Sequence, residues 1–326
     1  MNLRELSLQL KACHIPRRLE VPLAGYTWLE VGGPADVFVE PRMAIEAATA
    51  LRLAAEHGAP VLVLGRGTNL LIGDGGFRGM ALHLGPSFDD GRVVVEGRGC
   101  IAAAGVRLSK LLERLAVVGL GGLEDLYGIP GSLGGALAMN AGAYGSAIWP
   151  RVGWIELALP VGRVVMVDAA KIEYGYRSVK LPPGAVVTGA RLRLERSDPR
   201  ELLDRHHELT ADREGKHPLA FPNCGSVFKN PSRYNTAARM IEACGLKGRS
   251  VGGAKISEKH ANFMVNTGGA SAADFRALIE LVRDCVEKEH GLSLCTEVRL
   301  AGEFTTDEND LDDADDGGEV RDGGSA

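Results

Sequence analysis

The sequence predicts an α+β protein of several domains, and three observations lead to that class. Residues 36–64 contain a β-α-β unit: DVFVE (36–40) reads as a strand, AIEAATALRLAAEHG (44–58) as a helix closed by Gly58, and PVLVL (60–64) as a second strand. A β-rich section follows, in which VGWIELALP, RVVMVDA and AVVTGARLRLE have the alternation of antiparallel strands. Beyond the helix near 198–213, short strands and helices alternate with connections too irregular for a doubly wound sheet. At 326 residues the chain is long enough for two or three cores, and 45 % hydrophobic with only 5 % aromatic residues makes those cores mostly aliphatic.

Charge is unevenly distributed. From Glu303 to Ala326 there are ten acids and one base, Arg321, so this stretch carries −9 of a total of −5 and the rest of the chain about +4. The body therefore suits an anionic ligand, while the tail has too little apolar surface to offset the entropy of ordering and is expected to be disordered. No window is apolar for long enough to cross a bilayer, and MNLRELSLQLKACHIPRR lacks the order of a secretory signal, so a cytoplasmic location is expected. Six cysteines show no CxxC pairing and no metal-ligand rhythm, which points to reduced thiols and no metal. His206 and His207 sit in a solvated helical stretch rather than a ligand set.

Taken in order, a helical segment near residues 2–13 precedes the β-α-β unit, whose second strand runs into GRGTNLLIGDGGF. There Gly65 and Gly67 permit a tight turn, and Thr68 and Asn69 add hydrogen-bonding side chains, so an anion fits. The loop is not a Walker A motif, because it lacks the lysine, nor a dinucleotide GxGxxG, because Leu70 stands where the third glycine belongs. RVVVEGRGCIA (92–102) comes closer, with GxGxxA after a strand and a helix behind it, although Glu113 falls early for a ribose-binding acid. By itself it fits either a nicotinamide-binding Rossmann unit or a chance match in a turn.

The stretch Gly121–Gly145, GGLEDLYGIPGSLGGALAMNAGAYG, has four glycines between Gly128 and Gly135 that leave backbone amides unshielded. A diphosphate cradle and an ordinary turn both remain open on composition alone. Farther on, Tyr174, Tyr176, Arg177 and Ser178 gather in a loop, GKHPLAFPNCGSVFKNPS breaks regular structure around a short strand, and NTAARMIEACG and NFMVN read as a helix and a strand. SAADFRALIELVRDCVEKEHG is a long helix started by a capping box of Ser271 and Asp274, with Phe275, Leu278, Ile279, Val282 and Val286 as its buried stripe. TEVRLAG closes the fold as a strand. These readings divide the chain into an N-terminal segment (1–20), an α/β subdomain (21–85), a β-rich subdomain with the central loop (86–200), a last domain (201–302) and the acidic tail (303–326).

YTWLEVGGPADVFVEP, VLGRGTNLLI, GLEDLYGIPGSLGGALAMNAGAYG, YGYRS, GSVFKNP, ISEKHANFMVN and TEVRLAG, in this order, resemble the UDP-N-acetylenolpyruvoylglucosamine reductase (MurB) family over about Ala24 to Gly302. The resemblance implies a two-part FAD-binding region of the vanillyl-alcohol-oxidase (PCMH) type and a separate substrate domain. It implies backbone amides from both glycine loops on the FAD diphosphate: Gly65, Arg66, Gly67, Thr68, Asn69 and Leu70 from one, and Gly128, Ile129, Pro130, Gly131, Ser132, Gly134 and Gly135 from the other. Asn140, Ala141 and Gly142 would line the flavin. GRGCIA then becomes a structural turn, and the Rossmann reading recedes.

The implied reaction is NADPH-dependent, FAD-mediated reduction of UDP-GlcNAc-enolpyruvate to UDP-N-acetylmuramate in peptidoglycan precursor synthesis, with hydride added at the β-carbon and a proton at the α-carbon. By motif position Arg177 would hold the substrate carboxylate, Ser226 deliver the proton, and Glu297 sit beside the carboxylate with a raised pKa. Lys216 and Asn230 match contacts to the substrate diphosphate, and Tyr176 flanks the carboxylate site; Lys259, His260 and Asn262 are further candidates. The segment between Arg177 and Ser226 is short and has no tyrosine, as in a compact subtype without the loop that closes over substrate, and Arg239 or Arg249 could take that part. The partner expected is this small molecule, with no nucleic acid or membrane, and the chain is expected to be a monomer. Two alternatives stay open: another FAD-dependent alcohol or sugar oxidoreductase of the same cofactor fold, or a non-catalytic nucleotide-sugar-binding protein.

Overall fold

A computed structural model describes residues 1–232 and 234–304. Its helices are α1 (Leu3–Ala12), α2 (Ala44–Glu56), α3 (Leu108–Val117), α4 (Leu133–Ala138), α5 (Pro199–Lys216), α6 (Ala237–Ala243) and α7 (Ala272–His290). The predicted starts carry their caps: Asn2 accepts from the Glu5 amide at α1, Asp198 from the Arg200 amide at α5, and Ser271 with Asp274 closes a reciprocal box at α7. Among the described residues no helix is long and apolar enough to cross a membrane.

The first sheet has the strand order Arg17–Pro22, Pro34–Val39, Phe77–His83, Val61–Leu64. The first pair is antiparallel and the others parallel, so the two strands of the predicted β-α-β unit do not touch; Phe77–His83 lies between them. The glycine-rich lead-in GDGGF hides this strand in the sequence. The second sheet is antiparallel, in the order Arg163–Asp168, Val152–Leu159, Val186–Arg193, Gly99–Ala103, Val93–Glu96. Here the GxGxxA segment is a hairpin, Val93–Glu96 folding back on Gly99–Ala103 with Gly97 at φ +59°, so there is no Rossmann turn. α2 packs between the sheets: its Ala47, Ala48, Leu51 and Ala54 share one core with Val37 and Val39 of the first and Ile155 and Leu157 of the second.

A third sheet, Asn223–Ser226, Phe263–Asn266, Ala254–Ile256, Ser250–Val251, is antiparallel and carries α6 and α7 on a separate core. α5 spans the region where the boundary near residue 201 is expected. Leu202 and Leu209 of α5 are buried in the larger core, because these are the only apolar side chains the helix buries and α3 offers them a surface. The closing strand, Arg299–Ala301, leaves the third sheet and pairs in parallel with Leu70–Ile72, just past the first glycine loop. Glu303 and Phe304, expected in the tail, belong to the folded body: the Glu303 amide donates to Gly76 O at 2.8 Å, and Arg276 stands over the Phe304 ring. The rest of the predicted acidic tail lies outside the described residues.

Candidate active site

The two glycine loops face each other across a cavity of about 310 Å³. Gly65, Arg66, Gly67, Thr68, Asn69 and Leu70 line it from one side, and Ile129, Pro130, Gly131, Ser132, Gly134 and Gly135 from the other, with Ala141 nearby. Gly67 is at φ +62°, and a Cβ there would come within 2.0 Å of Tyr26 O; a Cβ on Gly134 would lie 2.8 Å from that of Ala104. Only glycine lets these segments approach so closely. The remaining walls are apolar: Leu64, Leu84, Val186 and Val187. Amide-rich loops at one part and aliphatic walls at the other fit a dinucleotide with a flat ring system, as FAD has.

Three residues of the predicted cofactor set do not line this cavity. Gly128, at φ +73°, instead makes room for Arg213, whose Cδ lies 2.5 Å from the position a Cβ would take. The Asn140 side chain is used internally, donating to Gly175 O at 2.7 Å and accepting from the Trp149 amide at 3.3 Å. Gly142 lies in a two-residue strand and presents its carbonyl to Arg177. The wall residues Val186 and Val187, together with Ala104 and Arg299, were not anticipated, since a strand's alternation does not say what its inner face meets.

Arg177 stands at the tip of the hairpin Tyr174–Gly175/Ser178–Val179, at φ +52°. This left-handed conformation is unfavourable for arginine and recurs nearby at Asn140 and Tyr144. It is held by a fork of contacts: Nε donates to Glu297 Oε1 at 2.8 Å, Nη2 to Gly142 O at 2.5 Å and Nη1 to Asn140 O at 3.4 Å. Tyr176, largely exposed, lies beside it with the guanidinium 5.2 Å from its ring centroid.

Glu297 is nearly buried, its side chain 12 % exposed. Burial raises its pKa, while the charges of Arg177 and Lys229 oppose the rise; the net direction is upward. Its backbone is fixed from two sides. The Glu297 amide donates to Val227 O at 2.7 Å, and Asn69 Nδ2 donates to Glu297 O at 2.9 Å, so the first glycine loop is joined directly to the segment that carries the carboxylate.

Ser226 ends the strand Asn223–Ser226. Against its neighbour, Asn223 opposes Val265 and Ser226 opposes Phe263, which leaves one extra residue on the serine strand. This bulge, with Gly225 at φ +75°, re-aims the half-buried serine out of the regular alternation. Val227, the next residue, receives the Glu297 amide, so Ser226, Glu297 and Arg177 come together from three separate parts of the chain. Cys224, two residues away, is buried with its thiol pushed up to about 12, which makes it an unreactive core group.

The substrate-side candidates are less gathered. Lys216 is exposed and pairs with Asp212 at 2.5 Å. Asn230 Oδ1 accepts from the Ala237 amide at the start of α6, leaving its NH₂ free to donate. Asn262 is a structural amide, bonded in both directions to the Phe228 backbone, Lys259 Nζ donates to Glu214 O at 2.5 Å, and Arg239 is tied to Tyr234 O. His260 meets His217 and Phe263 edge-on, and burial lowers its pKa. Arg213 was missed. It is half-buried with an Nε that has no hydrogen-bond partner; burial lowers its pKa, Tyr144 and Asp212 oppose the fall, and Arg177 adds a like charge. A positive interior face of this kind attracts an anion.

Comparison with known proteins agrees with this layout. Residues 35–168 match the model of the FAD binding domain, and residues 217–301 match that of the UDP-N-acetylenolpyruvoylglucosamine reductase C-terminal domain. Two relatives of that name, from Geobacter metallireducens and Geobacter sulfurreducens, are 44% identical over 283 residues and 45% identical over 284 residues, each alignment covering 86% of this chain and 93% of the relative. The crystal structure of UDP-N-acetylenolpyruvylglucosamine reductase (MurB) from Thermus caldophilus superposes with a TM-score of 0.75 at 34% identity, covering 88% of this chain and 98% of that one. With both halves of the chain matched and the relatives aligned almost end to end, the chain belongs to the UDP-N-acetylenolpyruvoylglucosamine reductase family.

Proposed function

We propose that the protein reduces UDP-N-acetylglucosamine enolpyruvate to UDP-N-acetylmuramate with NADPH and bound FAD, a step in peptidoglycan precursor synthesis. The observation that carries this reading is the half-buried Arg177–Glu297 pair beside Ser226, joined through Asn69 to the cavity between the glycine loops. FAD held between the two glycine loops would supply the two-electron hydride chemistry that links NADPH to the enolpyruvyl double bond.

What the chain must then do is stabilise and protonate the α-carbon, where charge develops beside a carboxylate. Arg177 offers a guanidinium already fixed by Glu297 and two carbonyls, so little reorganisation is needed to meet that charge. Glu297 with its raised pKa can stay protonated beside the same group and avoid adding a like charge. Ser226 Oγ is the proton donor; a hydroxyl is a weak acid, and it serves only because the α-carbon is strongly basic at that moment. Arg213, Lys216 and the free NH₂ of Asn230 are available to the UDP diphosphate. A soluble nucleotide-sugar substrate supports a cytoplasmic site of action.

The test is spectroscopic. The purified protein is expected to be yellow, NADPH to bleach it, and UDP-GlcNAc-enolpyruvate to restore the colour. A protein that cannot be reconstituted with FAD, or whose reduced flavin is indifferent to that acceptor, overturns the proposal.

Glu297 gives a pH prediction. Because its neutral form is favoured in the folded protein, its contribution to stability is full below the ordinary carboxyl pKa and is lost as pH rises through the raised one. Reoxidation of the flavin by substrate should fall over the same rise, and Glu297→Gln, which cannot ionise, should flatten that limb. Stopped-flow reoxidation across pH decides it; an unchanged limb in the variant removes Glu297 from the titration.

A further inference from the structure

The loop between the strand Gly99–Ala103 and α3 has no binding role in the reading above, yet it forms a third side of the cavity. Ala104 lines the cavity wall. The loop is stitched to the central glycine loop by three backbone bonds, Leu108 N to Gly131 O at 3.1 Å, Leu133 N to Val106 O at 2.9 Å and Gly134 N to Ala104 O at 2.8 Å, and Arg107 bridges Ser132. Ser132 also abuts the first glycine loop, since a Cβ on Gly65 would lie 2.5 Å from its Oγ. Ser132 therefore has Arg107 on one side and Gly65, followed by Arg66, on the other.

Among the described residues the two arginines have no counter-charge. Arg66 is half-buried and lines the cavity, Arg107 is exposed, and among the described residues neither guanidinium has a carboxylate or other side-chain partner. Burial and the nearby charge of Arg107 both lower the pKa of Arg66. Holding two like charges together, one of them partly desolvated, is unfavourable unless an anion completes the arrangement. Guanidinium groups match phosphate oxygens in charge and in planar geometry.

We propose that the side chains of Arg66 and Arg107 clamp the phosphates of the bound flavin dinucleotide across Ser132, supplying the neutralising charge that the backbone amides of the glycine loops lack. This rests on the FAD reading above and adds to it a third loop and a side-chain role. Amides orient the diphosphate; the arginine pair sets how tightly, and how salt-dependently, it is held.

The full-length protein, stripped of flavin, is titrated with FAD and with riboflavin, which has the ring but no phosphate, at low and at high salt. Arg66→Gln and Arg107→Gln are each expected to weaken FAD about tenfold or more at low salt, to leave riboflavin binding unchanged, and to reduce the loss of FAD affinity on adding salt. Because Arg107 is exposed, R107Q tests the clamp even if R66Q fails to fold. Unchanged FAD affinity in R107Q, or equal losses for FAD and riboflavin, overturns the clamp while leaving the cofactor assignment in place. Failure of the wild-type chain to bind FAD overturns the cofactor assignment and the clamp with it.

Discussion

Ser226→Ala is expected to leave reduction of the flavin by NADPH nearly intact and to slow its reoxidation by UDP-GlcNAc-enolpyruvate about a thousandfold, the scale of losing a positioned proton donor. The asymmetry follows from the structure. The serine strand meets the rest of the site through the backbone of Val227 and Glu297, not through the serine hydroxyl, so the substitution removes Oγ without disturbing the carboxylate pair or the cofactor loops. Each half-reaction can be followed alone by flavin absorbance in single turnovers. Similar losses in both halves would mean that Ser226 positions the cofactor and that the proton comes from elsewhere.

Arg177→Lys is expected to slow the same half-reaction about a hundredfold, with NADPH reduction again the less affected, because a preorganised fork becomes a point charge. The native guanidinium spans Glu297, Gly142 O and Asn140 O at once, and a lysine ammonium cannot reproduce that fan from a left-handed backbone at φ +52°. Replacing this partly buried charge network should also destabilise the fold by about 1–3 kcal/mol. Denaturant unfolding beside the single-turnover rates separates the two effects. Wild-type reoxidation in the lysine variant would exclude Arg177 as the carboxylate clamp.

Much of the fold was legible because its signals are local. α7 carries its capping box, buried stripe and left-handed Gly291 terminator within about twenty residues, and each can be read without knowing the partner surface. α2 and its flanking strands were equally plain. The insertion of Phe77–His83 between those strands was not, because which strand occupies the centre of a sheet depends on the remainder of the chain. α5 shows the same limit in reverse. It reads as a solvated helix, but its two buried leucines attach it to the larger core.

The site divides in the same way. Composition marked the glycine loops but left a cradle and a turn both open, and it was the motif resemblance that implied a cradle of backbone amides. Arg177, Ser226 and Glu297 followed from motif resemblance, with chemistry that suited each residue type. Asn230 and Gly128 show where motif position alone fell short: one caps α6 as well as offering a donor, and the other yields space to a half-buried arginine. Nothing in the sequence marked Arg213, because a helix with so little apolar surface gives no sign of which charged side chain turns inward.

By itself, then, the sequence determined the helices other than α4, the starts of α5 and α7, the two glycine-rich loops, the excess positive charge of the body and the residue types needed for the chemistry. Only the tertiary structure decided that residues 177, 226 and 297 meet, that Asn69 joins the first glycine loop to the segment that carries the carboxylate, and that Arg299–Ala301 returns to Leu70–Ile72. Caps and periodicity act over one or two turns and leave their mark in neighbouring residues. Contacts between segments tens to hundreds of residues apart form only when burial across the whole chain outweighs the entropy of closing such loops, and no short stretch of sequence encodes that balance.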